Sequence, residues 1–225
     1  MKRVKLQPAF VLHSKPYRDT SLLVELLTFN HGRINAVARS ARGPRSRFRG
    51  LLQAFTPMLI SWSGSTDLVT LGEAEASGMP YDLKGDALIS GFYLNELIVR
   101  LLHHHDAHQE IYCAYQQALA KLQHAQKIAV TLRLFEKELL GALGYGFSFS
   151  HLEPTSYYQF NPGVGLIKNT TVTSSLSVFY GEHLLAFAAG KLENEEVMST
   201  AKRLMRAALG VLLGDRPIKS RELFL

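Results

Sequence analysis

Up to residue 77, apolar and β-branched side chains gather in short runs separated by turn formers: Ala9–Ser14, Ser21–Thr28, Ile34–Ala38, Leu51–Ser61 and Leu68–Ala76. Runs so rich in Val, Ile, Leu, Phe and Thr predict five strands. Asn30-His-Gly32 reads as a hairpin connection, Gly43-Pro44 interrupts a polar stretch, and Gly64-Ser-Thr-Asp67 joins the last two runs. About 75 residues is too few for a sandwich of seven to nine strands, so the expected architecture is a five-stranded, partly open barrel of the oligonucleotide-binding (OB) kind.

Beyond Gly78-Met-Pro80 the apolar period lengthens to three and four residues. Ile89, Tyr93, Leu94, Leu97, Ile98, Leu101 and Leu102 make one stripe; Ile111, Tyr115, Ala118, Leu119 and Leu122 a second; Leu132, Phe135, Leu139, Leu140 and Leu143 a third. These predict three antiparallel helices that bury their stripes together, the third capped by Gly144-Tyr-Gly146. A Gly- and Pro-punctuated aromatic stretch follows, with a small hairpin of Tyr157–Phe160 and Gly165–Ile167 around Asn161-Pro-Gly-Val. Helical spacing returns at Val197, Ala201, Leu204, Met205, Ala208, Leu209 and Leu212, and a last short helix is expected from Ser220. The fold class is therefore α+β and multidomain: a barrel over 1–79 and a helical bundle over 80–225, with an irregular insertion at about 147–172.

Composition narrows the setting. The chain has 225 residues, 47% apolar and 20% charged, which suits a folded protein. Its one thiol, Cys113, makes no internal disulfide and excludes cysteine-rich zinc modules. No signal peptide or membrane span is visible, so a cytoplasmic protein without a membrane role is expected. Charge then changes the picture. Residues 1–80 hold eleven Lys and Arg against five Asp and Glu, whereas 81–225 hold fourteen of each, so the excess of six lies entirely in the barrel. Much of it falls in Arg39-Ser-Ala-Arg42-Gly-Pro-Arg45-Ser-Arg47-Phe-Arg49, five guanidinium groups in eleven residues. Guanidinium forks match phosphate oxygens and release counterions when they dock, and nucleobases stack on aromatic rings. Arg39, Arg42, Arg45, Arg47, Arg49 and Phe48, with Lys15, Arg18 and Arg33 on the same face or rim, are the expected nucleic-acid-binding residues. The competing reading is a pure protein-interaction module whose arginines meet an acidic partner.

Other chemistry is sparse. In His103-His-His-Asp-Ala-His108 the pair His104 and His108 has helical spacing, and with Asp106 could suggest a metal-dependent nuclease. The segment falls where the first helix should end, and histidines there oppose the negative end of the helix dipole; no metal site is expected. Cys113 has no base-orienting partner in sequence, and Glu136 and Glu138, two apart, point to different helix faces. With no phosphate loop, nucleophile elbow or paired carboxylates, neither catalysis nor a cofactor is expected. Arg133, among Leu132, Leu134 and Phe135, could fix a carboxylate at the edge of an apolar groove.

The order of Ala9-Phe-Val-Leu-His-Ser14, Asp19-Thr-Ser-Leu22, Thr28-Phe-Asn-His-Gly-Arg33, Ala38-Arg-Ser-Ala-Arg42, Leu52-Gln-Ala-Phe-Thr-Pro57, Phe92-Tyr-Leu-Asn-Glu-Leu97 and Lys219-Ser-Arg-Glu-Leu-Phe224 resembles the RecO family of bacterial recombination mediators over nearly the whole chain. The resemblance implies an OB barrel followed by a helical domain, binding of single- and double-stranded DNA, and annealing of complementary strands. It also implies loading of RecA, with RecR, onto strands coated by single-stranded DNA-binding protein, and association with the nucleoid when DNA is bound. Family members are expected to grip the acidic C-terminal tail of that coating protein, and Leu132-Arg-Leu-Phe-Glu136 matches the region where an arginine does so, which points to Arg133. Two departures stand out. Some members carry a four-cysteine zinc site, whereas 147–168 holds none of those ligands, so zinc is not carried over and aromatic residues must hold the insertion. Where the family commonly has Lys and Gly, this chain has Arg39 and Ser40, which suits a positive backbone torsion less well.

Overall fold

The computed structural model describes residues 3–124, 127–169 and 177–220. Five strands, β1 (Arg3–Tyr17), β2 (Ser21–Thr28), β3 (Gly32–Ala38), β4 (Met58–Ser63) and β5 (Leu68–Ala76), close a barrel in the order β1-β2-β3-β5-β4, with β1 returning to β4. Neighbours are antiparallel except β3 and β5, which run parallel. This is the expected five-stranded OB barrel, closed where a partly open one was anticipated. β3 shows why alternation reads as a strand: Gly32, Ile34, Ala36 and Ala38 are buried and the residues between them half-buried. Ile34 and Ala36 join Val11, Val24, Leu26, Ile60 and Leu71 in the core.

The fourth strand begins later than the pattern suggests. Leu52 leaves the extended path to enter the barrel core together with Phe48, and Phe55 takes a φ of +63°, so pairing with β1 starts only at Met58. The turn from β2 to β3 is crossed by the 102–106 segment. A Cβ at Gly32, whose φ is +61°, would lie 1.9 Å from the Asp106 carbonyl oxygen, so only glycine fits. Beside it the His105 N–H donates to the Arg33 carbonyl at 2.9 Å.

Two helices belong to the same compact unit, residues 1–126 with 218–225: α1 (Gly85–Leu101) and α2 (Gln109–Gln123). They pack on each other, and α1 packs on β1. A buried relay fixes the arrangement: the Tyr115 hydroxyl donates to Asn95 Oδ1 at 2.5 Å, and Asn95 Nδ2 donates to the Leu12 carbonyl at 2.9 Å. Complete burial pushes the Tyr115 phenol above its ordinary pKa, so it stays protonated as the donor.

The second unit, residues 127–217, holds α3 (Ile128–Ala142), β6 (Tyr157–Asn161), β7 (Gly165–Asn169), β8 (Val178–Tyr180), α4 (Gly181–Ala188) and α5 (Glu195–Leu213). The expected stripe on α3 is there, and it packs on α5. At its end Gly144 has a φ of +81°; its N–H donates to the Gly141 carbonyl and that of Tyr145 to the Leu140 carbonyl, the glycine cap the sequence suggests. The hairpin around Asn161-Pro-Gly-Val forms, and β8 extends it to a three-stranded sheet in the order β7-β6-β8. Phe147 contacts Phe149 and Phe160, and Phe149 meets Phe187 edge-on, so aromatic packing holds the insertion. Beyond Ser220 the anticipated last helix lies outside the described residues. Among the described residues no helix is long and apolar enough to cross a membrane.

Candidate nucleic-acid interface

The connection from β3 to β4 is a chain of tight turns. N–H groups of Gly43, Ser46, Arg49 and Leu51 donate to the carbonyls three residues earlier, of Ser40, Gly43, Ser46 and Phe48. Turning in this way keeps Arg39, Arg42, Arg45, Arg47 and Arg49 all exposed. The loop is fastened at two points. Arg42 binds the β1–β2 turn: its backbone N–H donates to the Thr20 carbonyl at 2.7 Å, and its guanidinium donates to the carbonyls of Arg18 at 2.8 Å, Asp19 at 2.6 Å and Ser21 at 3.2 Å. Phe48 is the second anchor, 3% exposed within the barrel core.

This fastening holds the turn that carries Arg18 against the loop, with Lys15 exposed three residues earlier on β1 and the Arg18 guanidinium 5.2 Å from the centre of the Tyr17 ring. Among the described residues, none of Lys15, Arg18, Arg39, Arg45, Arg47 and Arg49 forms an ion pair with a carboxylate. Their charge is uncompensated and available to a polyanion.

Three expected site residues have other work. Phe48 is buried, so its ring seats the loop and is not presented to a base. Arg33 has a side chain only 12% exposed, pairs through Nη1 with the Glu25 carboxylate and donates from Nε to the Leu102 carbonyl at 3.1 Å. It ties the barrel wall to the end of α1 and does not face a ligand. Arg42 spends its donors on backbone carbonyls, which makes it the joint between loop and hairpin. Conversely, sequence reasoning missed Arg3. Exposed at the start of β1, it lines a cavity of about 450 Å³ with Arg47, and the only hint was the basic N-terminus, Met1-Lys-Arg-Val-Lys5.

The histidine segment lies beyond α1, not in its last turn, because Leu102 adopts an extended backbone and the chain then docks along Arg33. His108 is held between the carboxylates of Asp106 at 3.1 Å and Glu110 at 3.2 Å. Burial opposes its protonation, but these two hydrogen bonds outweigh it and raise its pKa. Burial and the nearby Arg33 charge instead lower that of His104. Among the described residues no group of three or more His, Cys, Asp or Glu is arranged to hold a metal ion.

In the second unit Arg133 is 9% exposed and pairs with Glu136 one turn along α3. The guanidinium is buried against its own helix and not displayed at an open groove edge; its Nε has no hydrogen-bond partner among the described residues.

Comparison with known proteins matches both parts of the chain. The family described as Recombination protein O N terminal covers residues 1–79, and Recombination protein O C terminal covers residues 83–152. The DNA repair protein RecO of Coxiella burnetii (strain RSA 331 / Henzerling II) is 48% identical over 231 residues, spanning 99% of this chain and 98% of its own. Proteins of the same name from Nitrosospira multiformis, 41% identical over 230 residues, and Haemophilus influenzae (strain PittGG), 42% identical over 227 residues, span 99% and 98% of this chain and 95% of their own.

Proposed function

The chain belongs to the recombination protein O family of DNA repair proteins, and on that footing we propose that its barrel binds single- and double-stranded DNA without breaking or making bonds in it. The observation that carries this reading is the row of exposed, uncompensated cations: Lys15 and Arg18 at the hairpin end, and Arg39, Arg45 and Arg49 along a loop anchored by Arg42 and Phe48. Phosphates docked there lose much of their mutual repulsion, so two complementary strands can approach closely enough to pair. Binding of this kind is strongly salt dependent. Replacing Arg39, Arg45 and Arg49 with Ala is expected to flatten the log-affinity against log-salt slope for single strands by about 2 units if each meets a phosphate. Titration of a labelled oligonucleotide across a salt series measures this, and an unchanged slope removes the loop from the interface.

The same proposal gives the protein a mediator's role: with RecR it would help load RecA onto DNA coated by single-stranded DNA-binding protein, whose acidic tail would meet Arg133. Because Arg133 is paired with Glu136, a tail carboxylate would have to displace or share that partner. Truncating one member of a buried pair costs about 3–5 kcal/mol, which makes Arg133→Ala alone a test of folding as much as of binding. The cleaner variant is Arg133→Met with Glu136→Leu, which removes both charges and keeps the volume. It is expected to lose the tail peptide in a fluorescence binding assay while keeping bare-DNA affinity; retention of the peptide would dismiss Arg133 as its contact.

A further inference from the structure

We propose that Arg3 and Arg47, with the Ser61 hydroxyl, form a second phosphodiester-binding site on the outer face of β1, β4 and β5, apart from the Lys15 and Arg18 end of the barrel. It rests on the nucleic-acid reading above and gives it a second place of contact.

The strand pairing builds the site. On one side of β4, Arg3 lies opposite Ser63 and Val4 opposite Trp62, but Gln7 is opposite Ile60, so Lys5 and Leu6 together face Ser61. On the other side Ser61 is opposite Glu73 and Trp62 opposite Leu71, which leaves Gly72 as an extra residue. A bulge on each flank of one serine spreads the ladder, and bulges of this kind re-aim side chains next to functional sites. Leu6, held at a φ of +50°, turns its N–H to Ser61 Oγ at 3.1 Å. The serine thus serves as acceptor to the backbone, and its hydroxyl proton is the donor left to offer. A Cβ at Gly72 would come within 3.2 Å of the Ser61 carbonyl oxygen, so glycine both permits the bulge and keeps the floor clear.

The cavity of about 450 Å³ above this floor is lined by Arg3, Arg47, Ser61, Ser63 and Glu73. Arg47 is held in place from below. Its guanidinium lies 4.9 Å from the centre of the Phe48 ring, and that ring is locked in the barrel core, so little rotamer freedom remains to be lost on binding. Arg3 and Arg47 are exposed, and among the described residues neither is paired with a carboxylate. With Glu73 at the rim and Lys5 in the bulge beside Ser61, the cations outnumber the one carboxylate and the surroundings are net positive. That excess suits the phosphodiesters of a nucleic-acid backbone. Leu6, 57% exposed beside the cavity, offers apolar surface to a sugar or base.

Position separates this site from the first. Arg3 opens β1 and Lys15 stands near its far end. A thymidine dinucleotide carries a single phosphodiester, so each molecule bound counts one site. Wild-type protein is expected to bind two such molecules per chain at low salt, and Arg3→Ala with Arg47→Ala to bind one, as is Lys15→Ala with Arg18→Ala. On a long strand the first pair should flatten the salt slope by about 1.4 units. Arg3→Lys with Arg47→Lys should restore the second equivalent, which distinguishes lost charge from lost fold. A wild-type stoichiometry of one, or an Arg3 and Arg47 alanine variant with unchanged stoichiometry and slope, overturns the second site while leaving the hairpin-end reading intact. Absence of any oligonucleotide binding by the wild-type chain overturns both.

Discussion

Ser40 shows how one residue can set the course of a functional loop. It lies two residues past the end of β3, has a φ of +56°, and its carbonyl accepts the Gly43 N–H at 3.1 Å, the first of the turns that fan the arginines outward. For a residue with a Cβ this conformation costs roughly 1–2 kcal/mol, and family resemblance had already marked the position as one commonly filled by glycine. Ser40→Gly removes the clash but gives the unfolded chain more freedom, so the net gain is expected to be about 1 kcal/mol or a little less. Chemical denaturation of both proteins under one buffer measures it, and a loss of stability in the variant would show that the hydroxyl has a compensating role. DNA affinity should change little, because the carbonyl of residue 40 makes the turn in either case.

At the level of elements, what was legible followed from pattern length. β2 and β5 were read to their ends because turn formers bound their runs of eight and nine residues, and α5 because Val197, Ala201, Leu204, Met205, Ala208 and Leu209 all face the core as spaced. The three-residue β8 and the eight-residue α4 were missed, being too short to establish a period against their neighbours. β4 was misplaced because Leu52 and Phe55 read as strand residues in sequence, yet they fill space in the first unit as side chains of an irregular connection. Periodicity also shows a helix face without showing its partner, which is why α3 was grouped with α1 and α2 while its stripe packs on α5. The candidate site was half legible for a related reason. Five arginines announce charge, but whether a guanidinium meets solvent or a carbonyl depends on contacts distant in sequence. Arg42 reaches residues 18 to 21, Arg33 reaches Leu102, and Arg3 joins Arg47 only once the barrel has closed.

At the level of the whole chain, the polypeptide leaves its first compact unit after residue 126 and rejoins it at 218, so the return segment must be secured to α1. Glu96 does this. Its carboxylate accepts the N–H of Lys219 at 2.9 Å and both the N–H and hydroxyl of Ser220 at 2.8 Å, with the Arg100 guanidinium 3.6 Å away. Burial alone would raise its pKa, but these donors and the Arg100 charge outweigh burial and hold it below the ordinary value of 4.5. Because the folded-state pKa is the depressed one, the stabilisation is fully present above 4.5 and fades as the pH falls through the folded value. Glu96→Gln keeps the shape and one acceptor but loses the charge, and at neutral pH is expected to cost about 1–2 kcal/mol. Faster hydrogen exchange at the Lys219 and Ser220 amides should accompany that loss. In acid, below the folded pKa, wild type and variant should converge, since both then carry a neutral side chain; a difference that persists unchanged there would mean that Glu96 acts by packing and that its charge does not hold the returning chain.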